Sequence, residues 1–107
     1  MASLGVLKHV LLVKFKDNIP PGRIEELIKA FANLVNLIEP LKSFEWGEDV
    51  SVENKQQGFT HVFECMFDTD EGRDAYLAHP AHVEFANQVL PATEKYIVVD
   101  YRPTRII

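Results

Sequence analysis

The chain has 107 residues, of which 47% are hydrophobic and 25% charged, a balance that predicts one globular domain over residues 1–107 and excludes a disordered chain. Its formal net charge is −5 and its basic residues are scattered, which argues against nucleic-acid binding. The single cysteine, Cys65, and the absence of any apolar run near the roughly 20 residues of a membrane span predict a cytoplasmic protein without a membrane partner.

The first half of the chain predicts a strand, a helix and a second strand. Residues 7–16 alternate between two faces, as a strand does. A proline-containing turn leads to a helix over residues 21–38, whose apolar side chains repeat at helical spacing, and Pro40 ends it. Residues 43–50 alternate again and predict the second strand.

The second half predicts two strands that enclose a helical segment. Residues 59–67 form the third predicted strand. A short helix over residues 68–78 follows, and a proline then starts another helix that runs to about residue 90. Residues 96–101 are rich in β-branched side chains and predict the last strand.

The order β-α-β-β-α-β predicts a ferredoxin-like α+β fold, with a four-stranded antiparallel sheet and helices on one face. The opposite face of that sheet is predicted to be apolar, and a monomer would expose it to water. Its residues are Val10, Leu12, Val62, Met66, Ile97, Val99 and Tyr101. We therefore expect a homodimer in which two sheets pack face to face.

Five side chains are candidates for chemistry, because the predicted fold would bring them to one end of the space between helices and sheet. They are His9, His61, Tyr76, His79 and His82. His82 is predicted in the first turn of a helix, where the positive end of the dipole disfavours imidazolium and leaves a neutral base. Tyr76 is a candidate to hold that ring or to donate a proton to a developing enolate.

Structural explanations of the same residues stay open. A His-Pro pair at a helix start is often only a cap and a turn, and a strand histidine is often a core residue. A transition-metal site is a second interpretation, since His79 and His82 are three residues apart, but no Asp, Glu or Cys is predicted beside the histidines. Cys65 has no basic neighbour in the predicted strand and is expected to be an inert packing residue.

Short motifs identify a resemblance to the plant stress-responsive A/B-barrel (Dabb) family over residues 7–103. They are LKHVLL at 7–12, FKD at 15–17, NLVNLI at 33–38, WG at 46–47, GFTH at 58–61, HPAHV at 79–83 and DY at 100–101. The chain most resembles the family's heat-stable plant proteins with antifungal and defence activity, and it is also similar to the family's polyketide cyclases. The resemblance implies a homodimeric α+β barrel.

Resemblance to the cyclases implies a cofactor-independent aldol cyclisation of a linear polyketide to resorcylic acid-type products. It assigns acid–base catalysis to His82 with Tyr76 as its partner, and it places His9 and His61 in the substrate pocket. Independently of the resemblance, five phenylalanines are expected to belong mainly to the core and are also able to line a pocket for an apolar ligand; they are Phe31, Phe59, Phe63, Phe67 and Phe85.

Several positions depart from the cyclase pattern in the substrate wall. Phe31 replaces a pocket tyrosine, and Leu27 and Ile28 stand where the cyclases have two phenylalanines. Phe63 replaces a smaller valine and would fill the pocket, and Thr93 replaces a tryptophan. The resemblance thus keeps the catalytic pair and changes the predicted substrate-binding residues.

The resemblance also implies a structural cation, Mg²⁺ or Na⁺, held by the backbone carbonyls of Val35, Ile38 and Leu41. The last carbonyls of a helix lack intrahelical partners and lie at its negative end, and hard oxygen ligands suit such cations.

Three hypotheses for function follow. The main one is a homodimeric stress- or defence-related protein that binds an apolar small molecule. The alternative is a polyketide cyclase that uses His82 and Tyr76. The third is a purely structural stress protein that is stabilised by its dimer.

Overall fold

A computed structural model of the chain describes residues 2–3 and 5–106. Its elements follow in the order β1 (Ala2–Ser3), β2 (Leu7–Phe15), α1 (Pro21–Leu37), β3 (Ser43–Glu48), β4 (His61–Phe67), α2 (Asp70–Ala78), α3 (Pro80–Val89), a 3-10 turn (Leu90–Ala92), β5 (Thr93–Tyr101) and β6 (Thr104–Arg105).

The main sheet has the strand order β3-β4-β2-β5, and every neighbouring pair is antiparallel. This is the ferredoxin-like arrangement, and the predicted fold class is confirmed. The helices begin and end within two residues of their predicted bounds. The short pair of β1 with β6 was not predicted, because two residues are too few for alternation to show.

The strand bounds differ from the prediction at the start of β5 and around the long connection between β3 and β4. β5 begins at Thr93, three residues earlier than predicted. β3 ends two residues earlier than predicted, at Glu48, and β4 begins two residues later, at His61. The connection contains Asn54, Gln57 and Gly58 with φ between 57° and 86°. That left-handed backbone lies outside the strand region, so neither strand extends into the connection.

The junction of α2 and α3 is built from local caps. The Thr69 hydroxyl accepts a hydrogen bond from the Gly72 N–H at 3.0 Å and starts α2. His79 ends α2 and also caps α3, because its Nδ1 accepts the Ala81 N–H at 3.0 Å. Pro80 occupies the first position of α3, where its missing N–H costs nothing.

Four aromatic rings form a continuous barrier between the helices and the sheet, which we call the aromatic wall. It consists of Phe31, Phe44, Phe63 and Phe85. Phe31 is central: its ring centroid lies 4.7 Å from that of Phe44, 5.1 Å from that of Phe63 and 4.7 Å from that of Phe85. Two cavities lie beneath the helices; they share no lining residue, and Phe31 and Phe85 line only one of them.

The sheet face away from the helices is apolar and open to solvent in the single chain. Val62, Ile97, Val99 and Tyr101 are 37%, 42%, 53% and 44% exposed, respectively. The register places Val99 opposite Val10 and Ile97 opposite Leu12, so these side chains form one surface. We call it the open sheet face. Among the described residues, the helices are all too short or too polar to cross a membrane.

Candidate functional site

A groove of about 290 Å³ lies between α3 and β5. One end is polar and carries four side chains, namely His9, Tyr76, His82 and Asp100. The remaining wall is mainly apolar and includes Leu11, Phe31, Phe85, Ala86, Val89, Leu90 and Val98. We call this cavity the His9–His82 groove. An apolar slot with a few convergent polar groups is the usual form of a small-molecule site.

His82 is held in one tautomer by the backbone. Its Nδ1 lies 3.1 Å from the carbonyl oxygen of Leu77. A carbonyl only accepts hydrogen bonds, so Nδ1 carries the proton and Nε2 of the neutral ring keeps its lone pair. Burial lowers the pKa of His82, and the charge of nearby His9 lowers it further, whereas the bond to Leu77 raises it. The arrangement provides a neutral imidazole base near pH 7.

Tyr76 packs directly against the imidazole ring of His82. The two ring centroids lie 4.5 Å apart at an interplanar angle of 50°. Burial raises the pKa of Tyr76, and the neighbouring Cys65 side chain on β4 raises it further. The phenol therefore stays protonated and can donate a hydrogen bond to a developing oxyanion.

Cys65 itself is a core residue. It is 1% exposed, and burial raises the pKa of its thiol to about 12. A thiol needs to ionise before it acts as a nucleophile. Cys65 therefore supports Tyr76 and takes no direct part in chemistry at neutral pH.

Asp100 is the functional residue that sequence reasoning missed. Its Oδ1 lies 2.6 Å from His9 Nδ1, and its Oδ2 accepts from Arg73 Nη1 at 2.8 Å. The expectation that no acid lies beside the histidines is therefore wrong. A signal was available in the alternation of the last strand, because Asp100 falls on the same face as Val98, and β5 pairs Asp100 with His9.

The expected convergence of five side chains holds for three of them. His9, Tyr76 and His82 meet in the groove. His79 serves as the cap of α3. His61 is distant because β4 places it opposite Val13, whereas His9 lies opposite Cys65, four residues further along the strand.

His61 lines a second cavity between α1 and β3. Its Nδ1 lies 2.7 Å from the Thr60 hydroxyl, and its Nε2 lies 3.6 Å from a Glu48 oxygen. The Trp46 indole lies nearly parallel to the imidazole, with the ring centroids 6.1 Å apart and an interplanar angle of 12°. Burial lowers the pKa of His61, and the Glu48 charge partly opposes this effect.

The other predicted substrate-binding residues do not all line the same cavity. Phe31 lines the His9–His82 groove as part of the aromatic wall. Leu27 and Phe63 are 1% and 2% exposed and lie in the hydrophobic core. Phe63 therefore fills space beneath the helices, as its size relative to valine suggested.

The predicted cation ligands lie where α1 gives way to extended backbone. The carbonyl of Val35 is in the last turn of the helix, which ends at Leu37. The carbonyl of Ile38 accepts the N–H of Leu41 at 3.1 Å and keeps a second lone pair. Carbonyl oxygens are the kind of ligand that a hard cation such as Mg²⁺ prefers. In the described part of the chain, three His, Cys, Asp or Glu side chains do not come together as a metal cluster.

Residues 7–103 match the family model described as the Stress responsive A/B Barrel Domain, Dabb. The chain belongs to this family. The stress-response A/B barrel domain-containing protein HS1 of Arabidopsis thaliana is 58% identical to this Dabb protein over 102 residues, which cover 95% of this chain and 94% of HS1. Olivetolic acid cyclase of Cannabis sativa is 40% identical over 99 residues, which cover 92% and 98% of the two chains.

Solved structures support the same assignment. The hydroxynitrile lyase of Passiflora edulis superimposes with a TM-score of 0.91 at 28% identity, covering 95% of this chain and 96% of the lyase. More distant structures, 22–24% identical, share the fold and are described as dimeric ferredoxin-like proteins. The chain is thus similar to proteins named for stress responses and to proteins named for lyase or cyclase activity.

Proposed function

We propose that this Dabb protein binds a small, mainly apolar molecule with one polar head in the His9–His82 groove, in a stress- or defence-related role. The observation that supports it is the division of the groove into an apolar wall and one polar end. A ligand tail would contact Phe85, Val89 and Val98, and its head would exchange hydrogen bonds with His9 and His82. The volume of about 290 Å³ is at the small end of known ligand pockets.

The test uses an alkylresorcinol, hexylresorcinol, as the probe. We expect it to raise the melting temperature of the natural protein, since a ligand that binds only the folded state stabilises it. Val98→Phe fills the groove and should abolish the shift. Val83→Phe is the matched control, because Val83 is similarly exposed but lies on α3 outside the groove. Equal shifts in both variants, or no shift in the natural protein, would contradict binding in the groove and favour a purely structural stress protein.

A second candidate function is a cofactor-independent polyketide cyclase, and the free Nε2 of His82 favours it. In this reaction Nε2 removes a proton from a carbon between two carbonyls, and the resulting enolate attacks a ketone carbon of the same chain. A carbon–carbon bond forms, and the ketone oxygen becomes an alkoxide that takes back the proton. Loss of that oxygen as water and enolisation of the remaining ketones make the ring aromatic, and hydrolysis of the thioester by a second water releases the thiol and the carboxylic acid. Tyr76 would donate a hydrogen bond to the alkoxide and stabilise its charge.

The cyclase proposal is tested by mixing the protein with a type III polyketide synthase and fatty acyl-CoA starters. We expect a resorcylic acid with the natural protein, and losses of about 100-fold or more in His82→Gln, as for removal of a general base. Tyr76→Phe should also reduce the product. Glu84→Gln, on the exposed side of α3, is the control. An unchanged product profile in the presence of the natural protein would exclude the cyclase.

The open sheet face supports the proposal that the protein is a homodimer, since large exposed apolar surfaces usually mark an interface. The dimeric descriptions of the more distant structures point the same way. Plant defence, antifungal activity and a cytoplasmic location stay predictions from the family resemblance. A fungal growth assay with the purified protein and its His82→Gln variant would test the antifungal role.

The cation near the end of α1 also stays a prediction. Oxygens of Val35, Ile38 and Leu41 would hold Mg²⁺ and stabilise the turn after the helix. Bound Mg²⁺ should therefore raise the melting temperature, and EDTA should lower it. If millimolar Mg²⁺ and Na⁺ leave the melting temperature equal to that in a choline buffer, the site does not exist.

A further inference from the structure

We propose that the second cavity, between α1 and β3, is a separate site for a small aromatic cation, whose flat ring stacks on Trp46 and whose ammonium group pairs with Glu48. The cavity has a volume of about 460 Å³. Its lining includes Ile24, Ile28, Ala32, Trp46, Glu48 and His61. We call it the Trp46 cavity.

The Trp46 cavity is independent of the His9–His82 groove. The aromatic wall stands between them: Phe31 lines the groove, and Phe63 lies behind Trp46, with their ring centroids 5.1 Å apart. The cavity also lies on the helix side of the sheet, away from the open sheet face. A dimer formed through that face would therefore leave the Trp46 cavity accessible.

The aromatic side of the cavity is preformed. The Trp46 indole is 46% exposed and lies within 12° of the His61 plane and 25° of the Phe63 plane. These rings fix the orientation of the indole from the sheet side. The exposed part of the indole can then contact another flat ring at little cost in side-chain entropy. Ile24 and Ile28 of α1 supply the opposite, apolar wall.

The charge at the rim selects a cation. The Glu48 carboxylate is 68% exposed, and its basic neighbour is His61, 3.6 Å away. Because burial lowers the pKa of His61, that ring is neutral at pH 7 and leaves the Glu48 charge uncompensated. Lys29 also lines the cavity, but its ammonium group is paired with Glu25 at 3.1 Å. A cation beside an indole gains both ion pairing and a cation–π interaction, whereas an anion would be repelled.

The experiment uses Trp46 as its own reporter, because it is the single tryptophan of the chain. The full chain, labelled with ¹⁵N, is titrated with 2-phenylethylammonium at pH 7, and the indole N–H resonance and the fluorescence are followed. We expect a saturable shift and an affinity at least tenfold higher than for the neutral analogue 2-phenylethanol. The anionic analogue 3-phenylpropionate should not bind.

Two variants distinguish an ion pair between the ligand and Glu48 from a general attraction of cations to the negatively charged protein. Glu48→Gln should reduce the affinity for 2-phenylethylammonium to that of 2-phenylethanol. Glu45→Gln is the matched control: it removes the same charge from β3, but its side chain points to the other face of the strand. The control should keep the full affinity.

Several results would overturn the proposal. The first is an indole resonance that does not shift during the titration. The second is equal affinity for the cation and the neutral analogue, and the third is a Glu45→Gln variant that weakens binding as much as Glu48→Gln does. Loss of the shift in Val98→Phe would also overturn it, because that substitution fills only the His9–His82 groove. Failure of the groove proposals leaves this test unaffected, since it uses neither His82 nor Tyr76.

Discussion

In the groove, neighbouring groups determine which ring nitrogen of His82 and of His9 carries the proton. Leu77 holds Nδ1–H of His82 through its carbonyl, and Asp100 holds Nδ1 of His9 through a carboxylate oxygen. The neutral form of each ring then carries its lone pair on Nε2. When both rings are neutral, they offer a polar ligand head two acceptors beside the Tyr76 donor at the same end of the groove.

The pH dependence of His82 is the first prediction at this scale. Since burial lowers its pKa, we expect its NMR titration midpoint in the folded protein below the ordinary value of about 6.5. The unfolded state then binds more protons, so the stability contributed by neutral His82 is fully present above about pH 6.5, and it is lost as the pH falls from there through the lower pKa of the folded state. Urea unfolding at pH 7 and pH 5 should show a smaller loss of stability for His82→Gln than for the natural protein. A midpoint above 6.5 would contradict the burial argument.

The second prediction concerns Asp100 as a positioning residue. Asp100→Asn keeps the shape of the side chain but removes the charge that fixes His9. We expect binding of hexylresorcinol, or turnover by the cyclase, to weaken about tenfold or more, in the range of second-sphere partners that orient a histidine. The ¹⁵N pattern of His9 should also change from the Nδ1–H form to a mixture.

Asp74→Asn provides the control for that substitution. Asp74 binds the same Arg73 guanidinium, at 2.9 Å, but has no contact with His9. Its loss should leave the His9 pattern and the groove affinity unchanged. If both variants behave alike, the effect of Asp100 is one of net charge and not of imidazole position.

Side chains of the site could be predicted from the sequence pattern, whereas a backbone contact could not. His82 lies on α3, whose start the His-Pro motif predicts, and Tyr76 lies on the predicted helix before it; both line the groove. Asp100 was predictable in principle from strand alternation and antiparallel pairing. The Leu77 carbonyl was not, because its direction depends on the exact turn between α2 and α3, which side-chain patterns do not encode.

At the scale of elements, helices were predicted better than strand ends, for a physical reason. Apolar spacing along α1 persists over 17 residues, so its period is clear. β3 has only six residues, and the polar chain after it contains left-handed positions at Asn54 and Gln57 that no alternation signals. The predicted bounds on both sides of this connection are therefore wrong because backbone conformation, and not burial, ends the strands there.

The aromatic wall gives a prediction for how these elements are held together. Phe63 joins β4 to α1 and is almost fully buried. Phe63→Ala would lose its transfer free energy and leave a void, so we expect the free energy of unfolding to fall by about 3–5 kcal/mol. Urea denaturation measures this.

Phe59→Ala is the comparison for the wall. Phe59 lies before β4, is only half-buried, and contacts the Lys95 ammonium 4.5 Å from its ring centroid. Its removal should cost much less than the removal of Phe63, because water already reaches the ring. Equal losses would mean that the wall does not carry the packing assigned to it.

At the scale of the whole molecule, the open sheet face is the feature that the sequence revealed most directly. Strict alternation in the predicted first, third and last strands placed an apolar set opposite the helices, and the register aligns Val10 with Val99. The helix side of β5 was harder to predict, since Tyr96 and Val98 on that side are 47% and 45% exposed although they face the helices. They are exposed because they line the open His9–His82 groove between α3 and β5.

The homodimer gives the prediction at this scale. Val99 lies in the middle of β5 on the open sheet face and is 53% exposed. Val99→Glu would place a carboxylate on each copy inside the interface, so two charges would be desolvated without partners, at a cost of several kcal/mol. We expect the natural protein to sediment as a dimer at micromolar concentration and Val99→Glu as a folded monomer with the same circular dichroism.

Val83→Glu is the control for this substitution. Val83 is 46% exposed on the outer side of α3, so the variant adds the same charge away from the sheet and should stay dimeric. A natural protein that is monomeric at these concentrations, or a dimer that tolerates Val99→Glu, would require a different surface for assembly.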